Sequence, residues 1–184
     1  MLTALVDRAR QGDREAFGAL TQAAGDRCIA IAFRILRDVT LAEDAAQSAF
    51  VTAWRELPGL RDPDRFEPWL HRILVRCCYA EAKRRRRASS AVLAVVREDT
   101  YAPDEILTVH DRDQLERGFR RLPPEQRAVL VFHHYLGFSH AEVADHLGIP
   151  LGTVKSRIRY ATGALRAALE ADAREPANTQ ERPA

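Results

Sequence analysis

Apolar residues recur along this chain at intervals of three and four, and alternation of period two is nearly absent, so the predicted elements are helices. Over residues 14–36, Phe17, Leu20, Cys28, Ile31 and Ile35 share one broad face. Over 41–57 the apolar arc is Ala46, Phe50, Ala53, Trp54 and Leu57, and Thr40 followed by Glu43 reads as a capping box. The opposite face of that helix shows Asp44, Gln47, Ser48 and Val51, a small and partly acidic surface. Over 65–87, Phe66, Trp69, Leu70, Ile73 and Cys77 turn inward. The period fails over 88–104, ASSAVLAVVREDTYAPD, which predicts a flexible linker, and resumes from 105 to 171. Residues 172–184 are polar with two prolines and predict a flexible tail. The fold class is therefore all-α, with two small helical domains, 1–87 and 105–171.

The second block contains GFSHAEVADHLGIPLGTVKSRI, residues 137–158, which has the spacing of two short helices joined by a tight turn. Ser139 and Glu142 form a capping box, and Val143, Ala144 and Leu147 give the first helix one apolar face. Gly148 suits the left-handed position after that helix, and Pro150 suits the first position of the next. Val154, Ile158, Ala161 and Leu165 then make a core-facing stripe. A helix-turn-helix displays its second helix to the major groove. At about 100° per residue, the face opposite Val154 and Ile158 is Gly152, Ser156 and Arg159, flanked by Thr153, Lys155 and Tyr160. Arg reads guanine edges, and Ser and Thr contact bases or phosphates. Gly152 and Thr153 stand where free helix-terminal N–H groups favour a phosphate. Arg157 lies toward the core side of this helix.

Charge adds a second candidate surface. Net charge is only +2, so any nucleic-acid contact depends on local clustering. Arg72, Arg76, Tyr79, Lys83 and Arg86 are spaced four, three, four and three apart, one stripe ending in the run KRRRR at 83–87. A basic stripe with an aromatic among the cations can follow a backbone and stack an unpaired base. The plainer alternative is a solvated helix end, since cations favour helix C-termini. The linker turns acidic at Glu98, Asp99 and Asp104, which would repel nucleic acid. Three cysteines, Cys28, Cys77 and Cys78, have no metal-ligand spacing and read as reduced, mostly buried thiols. The charged N-terminus is no signal peptide, and no apolar run approaches a membrane span. His133 and His134 point about 100° apart on one helix, zinc spacing is absent, and no phosphate loop or nucleophile elbow occurs. The sequence thus calls for no cofactor, metal, membrane or small-molecule substrate, and the expectation is not an enzyme.

In this order the blocks resemble the extracytoplasmic-function sigma factors of the sigma-70 family, over about residues 5–170. AEDAAQSAFVTAW looks like the family's core-polymerase-binding segment, FEPWLHRILVRCCYAEAKRRRR like its minus-ten helix, and GTVKSR like its minus-thirty-five reader. Arg76 and Ala80 stand where the family often has Asn and Asp, and Ser48 replaces a usual Glu. The resemblance implies that Glu43, Asp44, Gln47 and Val51 meet core RNA polymerase at the clamp helices of its largest subunit. It implies that Arg72, Arg76, Tyr79, Lys83 and Arg86 serve the minus-ten element, and Gly152, Thr153, Lys155, Ser156 and Arg159 the minus-thirty-five. The second domain would sit on the flap of the other large subunit. Base capture would involve the loop 55–66, and an anti-sigma factor is the implied regulator. Such a chain would act in the bacterial cytoplasm, at the nucleoid. A two-domain helix-turn-helix regulator, its first block a sensor, stays open as the alternative.

Overall fold

A computed structural model describes the chain over residues 2–89 and 109–174, with side chains over 2–88 and 115–170. Eight α-helices are described: α1 Leu2–Arg10, α2 Arg14–Leu36, α3 Val39–Glu56, α4 Phe66–Ser89, α5 Val109–Arg121, α6 Pro124–Leu130, α7 His140–Leu147 and α8 Leu151–Arg174. The fold is all-α, and among the described residues there is no strand. The linker expectation, with its acidic Glu98, Asp99 and Asp104, falls mostly outside the described residues, as do 175–184 of the tail. Helix α1 adds to the three helices expected of the first block; its Val6 and Ala9 are buried.

Local chemistry explains several helix ends. Asp13 caps α2, accepting from the Ala16 N–H at 3.0 Å. Helix α3 starts at Val39 and is capped by Asp38, which accepts from Leu41 N–H at 2.9 Å. The capping box expected at Thr40 and Glu43 is therefore displaced: Asp38 is a stronger cap two residues earlier, and Thr40 lies within the first turn. The box at Ser139 forms as expected, with Ser139 N–H donating to Glu142 Oε2 at 2.8 Å and Glu142 N–H to Ser139 Oγ at 3.3 Å. Gly148 follows α7 at φ +64°, the left-handed conformation that a missing Cβ permits. Pro150 stands just before α8, its carbonyl accepting from Thr153 and Val154 N–H, so it occupies the cap and not the first helical position. Gly118 has a different role. A Cβ there would lie 2.7 Å from Leu165 Cδ1, so the glycine lets α5 and α8 approach closely.

In the first block α2, α3 and α4 meet along Ala42, Ala45, Ala46, Ala49 and Ala53, with Leu20, Ile31, Ile35, Leu70, Ile73 and Leu74 around them. Phe50 and Trp54, expected in the core, are only half-buried because the alanines bring the backbones too close for them. In the second block Leu122, Leu130 and Ala161 form a small cluster of their own. Val129, Phe132, Val143 and Val154 instead join the core of the first block, so the two domains pack directly on each other. Charged contacts cross that junction. Arg37, in the left-handed region at φ 58°, pairs with Glu116, and the Arg34 guanidinium sits 3.5 Å from the Tyr135 ring centroid.

Candidate nucleic-acid interface

The second helix of the helix-turn-helix presents its outer face much as the spacing predicts. Val154 and Ala161 are fully buried, while Gly152, Lys155, Arg159 and Tyr160 are exposed. Thr153 and Ser156 are half-buried, and the Ser156 hydroxyl donates to the Thr153 carbonyl at 3.0 Å. That bond draws Ser156 back along the helix, and leaves Arg159 as the longest side chain on the outer face. The Arg159 guanidinium lies 5.0 Å from the Tyr160 ring centroid, with Nη2 3.3 Å from the phenol oxygen. Arg157 is half-buried and donates a hydrogen bond toward Tyr79, which fits the core-side placement read from the sequence.

The stripe on α4 divides. Arg76, Lys83 and Arg86 are exposed, and Arg76 reaches Glu56 at 3.4 Å. Arg72 turns toward α7, donating from Nε to the Asp145 carbonyl at 2.8 Å and from Nη2 to its carboxylate at 2.9 Å. Tyr79 is half-buried against the core, and burial pushes its phenol above the usual range. Five residues at one spacing thus do not make one solvent-facing row, because the packing of α7 and α8 covers two of them. Within the terminal run, Arg84 pairs with the buried Glu81, and Arg85 with Asp38 at 2.8 Å.

The α3 face is open. Glu43, Asp44, Gln47, Ser48 and Val51 are exposed, Val51 by 46%. Beside them runs an open groove of about 530 Å³ lined by Phe17, Gln47, Phe50, Val51 and Trp54 among others. Phe17 and Trp54 meet with ring centroids 4.9 Å apart. Periodicity alone assigns Phe17, Phe50 and Trp54 of this groove to the core, and Val51 to the outward face. The signal that corrects it is the alanine row on α3, which leaves the large side chains at the rim.

The histidines also rearrange. Helix α6 continues into a π-type turn, Val131–Tyr135, which brings the His133 and His134 rings to 4.6 Å instead of splaying them. His133 Nδ1 lies 2.7 Å from the Phe138 carbonyl, to which it donates. Among the described residues no group of three or more His, Cys, Asp and Glu is placed to hold a metal ion. Cys28 and Cys78 are buried, and desolvation pushes the Cys28 thiol up to about 12, far from a reactive thiolate. No described helix is long and apolar enough to cross a membrane.

Comparison with known proteins places this architecture. The model of sigma-70 region 2 matches residues 20–88, and that of sigma-70 region 4 matches residues 112–161. The RNA polymerase sigma-H factor of Pseudomonas aeruginosa is 31% identical over 90% of this chain and 92% of its own length. The ECF RNA polymerase sigma factor SigM of Mycobacterium tuberculosis is 35% identical over 84% of this chain and 77% of its own. Among solved structures, CnrH in complex with the cytosolic domain of CnrY is similar at a TM-score of 0.65 and 28% identity, covering 93% of this chain and 98% of that one. RpoE of Bartonella quintana, in a co-crystal with the anti-sigma factor NepR, shares the fold at a TM-score of 0.66 and 24% identity, over 85% of this chain and 98% of that one.

Proposed function

Because the chain belongs to the extracytoplasmic-function sigma factors of the sigma-70 family, we propose how its own residues divide the work of transcription initiation. The chain binds core RNA polymerase and directs promoter recognition. A free-standing helix-turn-helix regulator is not favoured, because the first block matches region 2 and not a sensor domain. The chemistry of bond formation belongs to the polymerase, and this chain acts as a non-enzymatic specificity subunit, at the nucleoid in the bacterial cytoplasm.

The observation that carries the residue-level reading is the outer face of α8. Gly152, Lys155 and Arg159 are exposed on a helix whose inner face, Val154 and Ala161, is fully buried. In the major groove Arg159 would take a base edge, while Lys155, Thr153 and the Gly152 N–H would hold phosphates. Ser156 contacts the backbone nearby. On the first block, Arg76, Lys83 and Arg86 would track the strand at the minus-ten element, with Arg72 and Tyr79 joining when α7 and α8 move away. Stacking of an unpaired base on an aromatic ring contributes about 1–3 kcal/mol, enough to offset the few kcal/mol of unstacking.

Glu43, Asp44, Gln47 and Val51 would meet the clamp helices of core polymerase, with the Phe17–Trp54 groove supplying apolar area beside polar anchors. The second domain would rest on the flap. An anti-sigma partner is the regulator the sequence resemblance implies; that CnrH was solved with the cytosolic domain of CnrY supports a partner seated on a chain of this shape. Run-off transcription with purified core polymerase across a set of genomic promoters tests the assignment. Promoter-dependent transcripts that need this chain are the expected result, and tight binding of the isolated chain to duplex promoter would count against it.

A further inference from the structure

The junction between the two domains is held by an unusual set of side chains where α4 meets α7. His71 Nδ1 lies 2.9 Å from His146 Nδ1. Both rings are buried, 2% and 8% exposed. The His71 edge meets the Phe132 ring at 5.3 Å, and His146 stacks on Phe138 at 4.2 Å. Next to this pair, Asp145 of α7 accepts from both Arg72 and Arg65 of the first block. Arg72 also fills the space beside the helix-turn-helix glycine: a Cβ on Gly148 would lie 3.3 Å from Arg72 Cδ. The closed junction thus occupies Arg72, a proposed promoter contact, with a residue of the helix-turn-helix.

The contact between the two imidazoles needs one nitrogen to donate and the other to accept. With both rings cationic no acceptor is left, and two buried positive charges face each other. The surrounding charges do not remove that conflict. Arg27 on α2 faces both rings and is itself paired with Glu67 at 2.5 Å. Glu67, Asp145 and Glu142 favour a charged His146, while Arg65 and Arg72 already engage Asp145. Burial dominates: it pulls His71 down to about 3, with His146 and Arg27 adding to the shift, and lowers His146 as well.

We propose that the His71–His146 pair is a proton-operated latch that holds the two domains closed, and that mild acid opens it and frees Arg72 and Arg65. The sign follows from linkage. Both groups bind protons less well in the closed form than when exposed, where a histidine titrates near 6.5. The contribution to closure is therefore complete above about pH 7.5 and is lost as pH falls through the exposed value. From pH 7.5 to 5.5 the open-to-closed ratio rises about tenfold through His71, and His146 adds to the rise in the same direction. The opening stands on the interface alone; its effect on transcription rests on the promoter-contact reading of Arg72.

Small-angle scattering of the full chain between pH 7.5 and 5.5, with circular dichroism at each pH to confirm intact helices, reads the latch directly. The wild type should expand on acidification, and the doubly substituted His71→Leu/His146→Leu chain should stay compact throughout. A radius of gyration that does not change in the wild type overturns the proposal. So does equal expansion of wild type and double variant, which would assign the response to other groups. Should the leucine variant fail to fold, His71→Gln keeps a neutral hydrogen-bonding side chain and should weaken the response by about tenfold; an unaltered response there overturns the proposal equally. Run-off transcription with Arg72→Ala at pH 7.5 judges the promoter-contact reading separately: normal strand opening in that variant would remove the reading while the scattering result still decides the latch.

Discussion

In the first block five alanines, each no more than 3% exposed, let α2, α3 and α4 lie close together, and these helices supply most of the main core. In the second, among the described residues, the buried cluster Leu122, Leu130 and Ala161 packs at home, while Phe132, Val143 and Val154 join the core across the junction. The first block is a frame whose outer faces are available to partners. The second is a short unit that sends one face of α8 to solvent and leans on the frame with the other side of the domain. The difference follows from size: a small domain buries too little apolar surface to be rigid alone. It teaches that the domain carrying α8, the helix proposed to read DNA, is also the one whose packing depends most on its neighbour.

The strongest way to break this comparison is Val154→Asp. Val154 is 0% exposed, and a carboxylate there would be buried without a partner. The expected loss is more than about 4 kcal/mol, confined to α6–α8, with α1–α4 still protected in hydrogen exchange. Equal loss of protection in both blocks would make them one cooperative unit. Phe132→Ala comes next. Phe132 is fully buried and touches both His71 and His146, so truncation should cost about 3–5 kcal/mol in denaturant unfolding. A cost below about 1 kcal/mol would mean the shared core does not hold the second block.

The next two sharpen the comparison between the outward faces. Arg159→Ala should lose about 1–3 kcal/mol of discrimination at one upstream base pair, while Arg157→Ala, turned toward Tyr79, should weaken all promoters alike. Transcription from a panel of promoter variants separates the two; the reverse pattern would mean that α8 docks with its other side toward the bases. Asp44→Arg has the smallest effect on the fold. The residue is exposed on α3, so stability should change by less than about 0.5 kcal/mol, yet pull-down of core polymerase should fall. Wild-type capture of core by that variant would clear this face of the role.

Helix type and most boundaries were legible in the sequence because they depend on local rules. Ser139 with Glu142, Gly148 and the buried Val154 behave as their spacing says. What periodicity could not supply was distance between backbones. It assigns Phe50 and Trp54 to the core because they lie on the apolar arc, and only the alanine row of α3 shows why they end at the rim. It also could not supply the junction. His71 lies on the inner side of α4 but carries no helical signature of its own, and His146 reads as one more polar residue of α7. Both are buried because each satisfies the other across 75 residues of sequence, a pairing no local pattern encodes. Tyr79 and Arg72 leave the basic row for the same reason.

The half-buried indole of Trp54 has a practical corollary. The chain holds two tryptophans, Trp54 and Trp69. Trp69 packs beside Phe66 near the start of α4, with ring centroids 5.9 Å apart, whereas Trp54 lines the groove next to Gln47 and Val51. A partner that fills this groove covers Trp54 and strips its water, which shifts indole emission to shorter wavelength. A Trp69→Phe chain would therefore report occupancy of that groove by a tryptophan-free partner through its own fluorescence, at the tryptophan edge and with no dye attached.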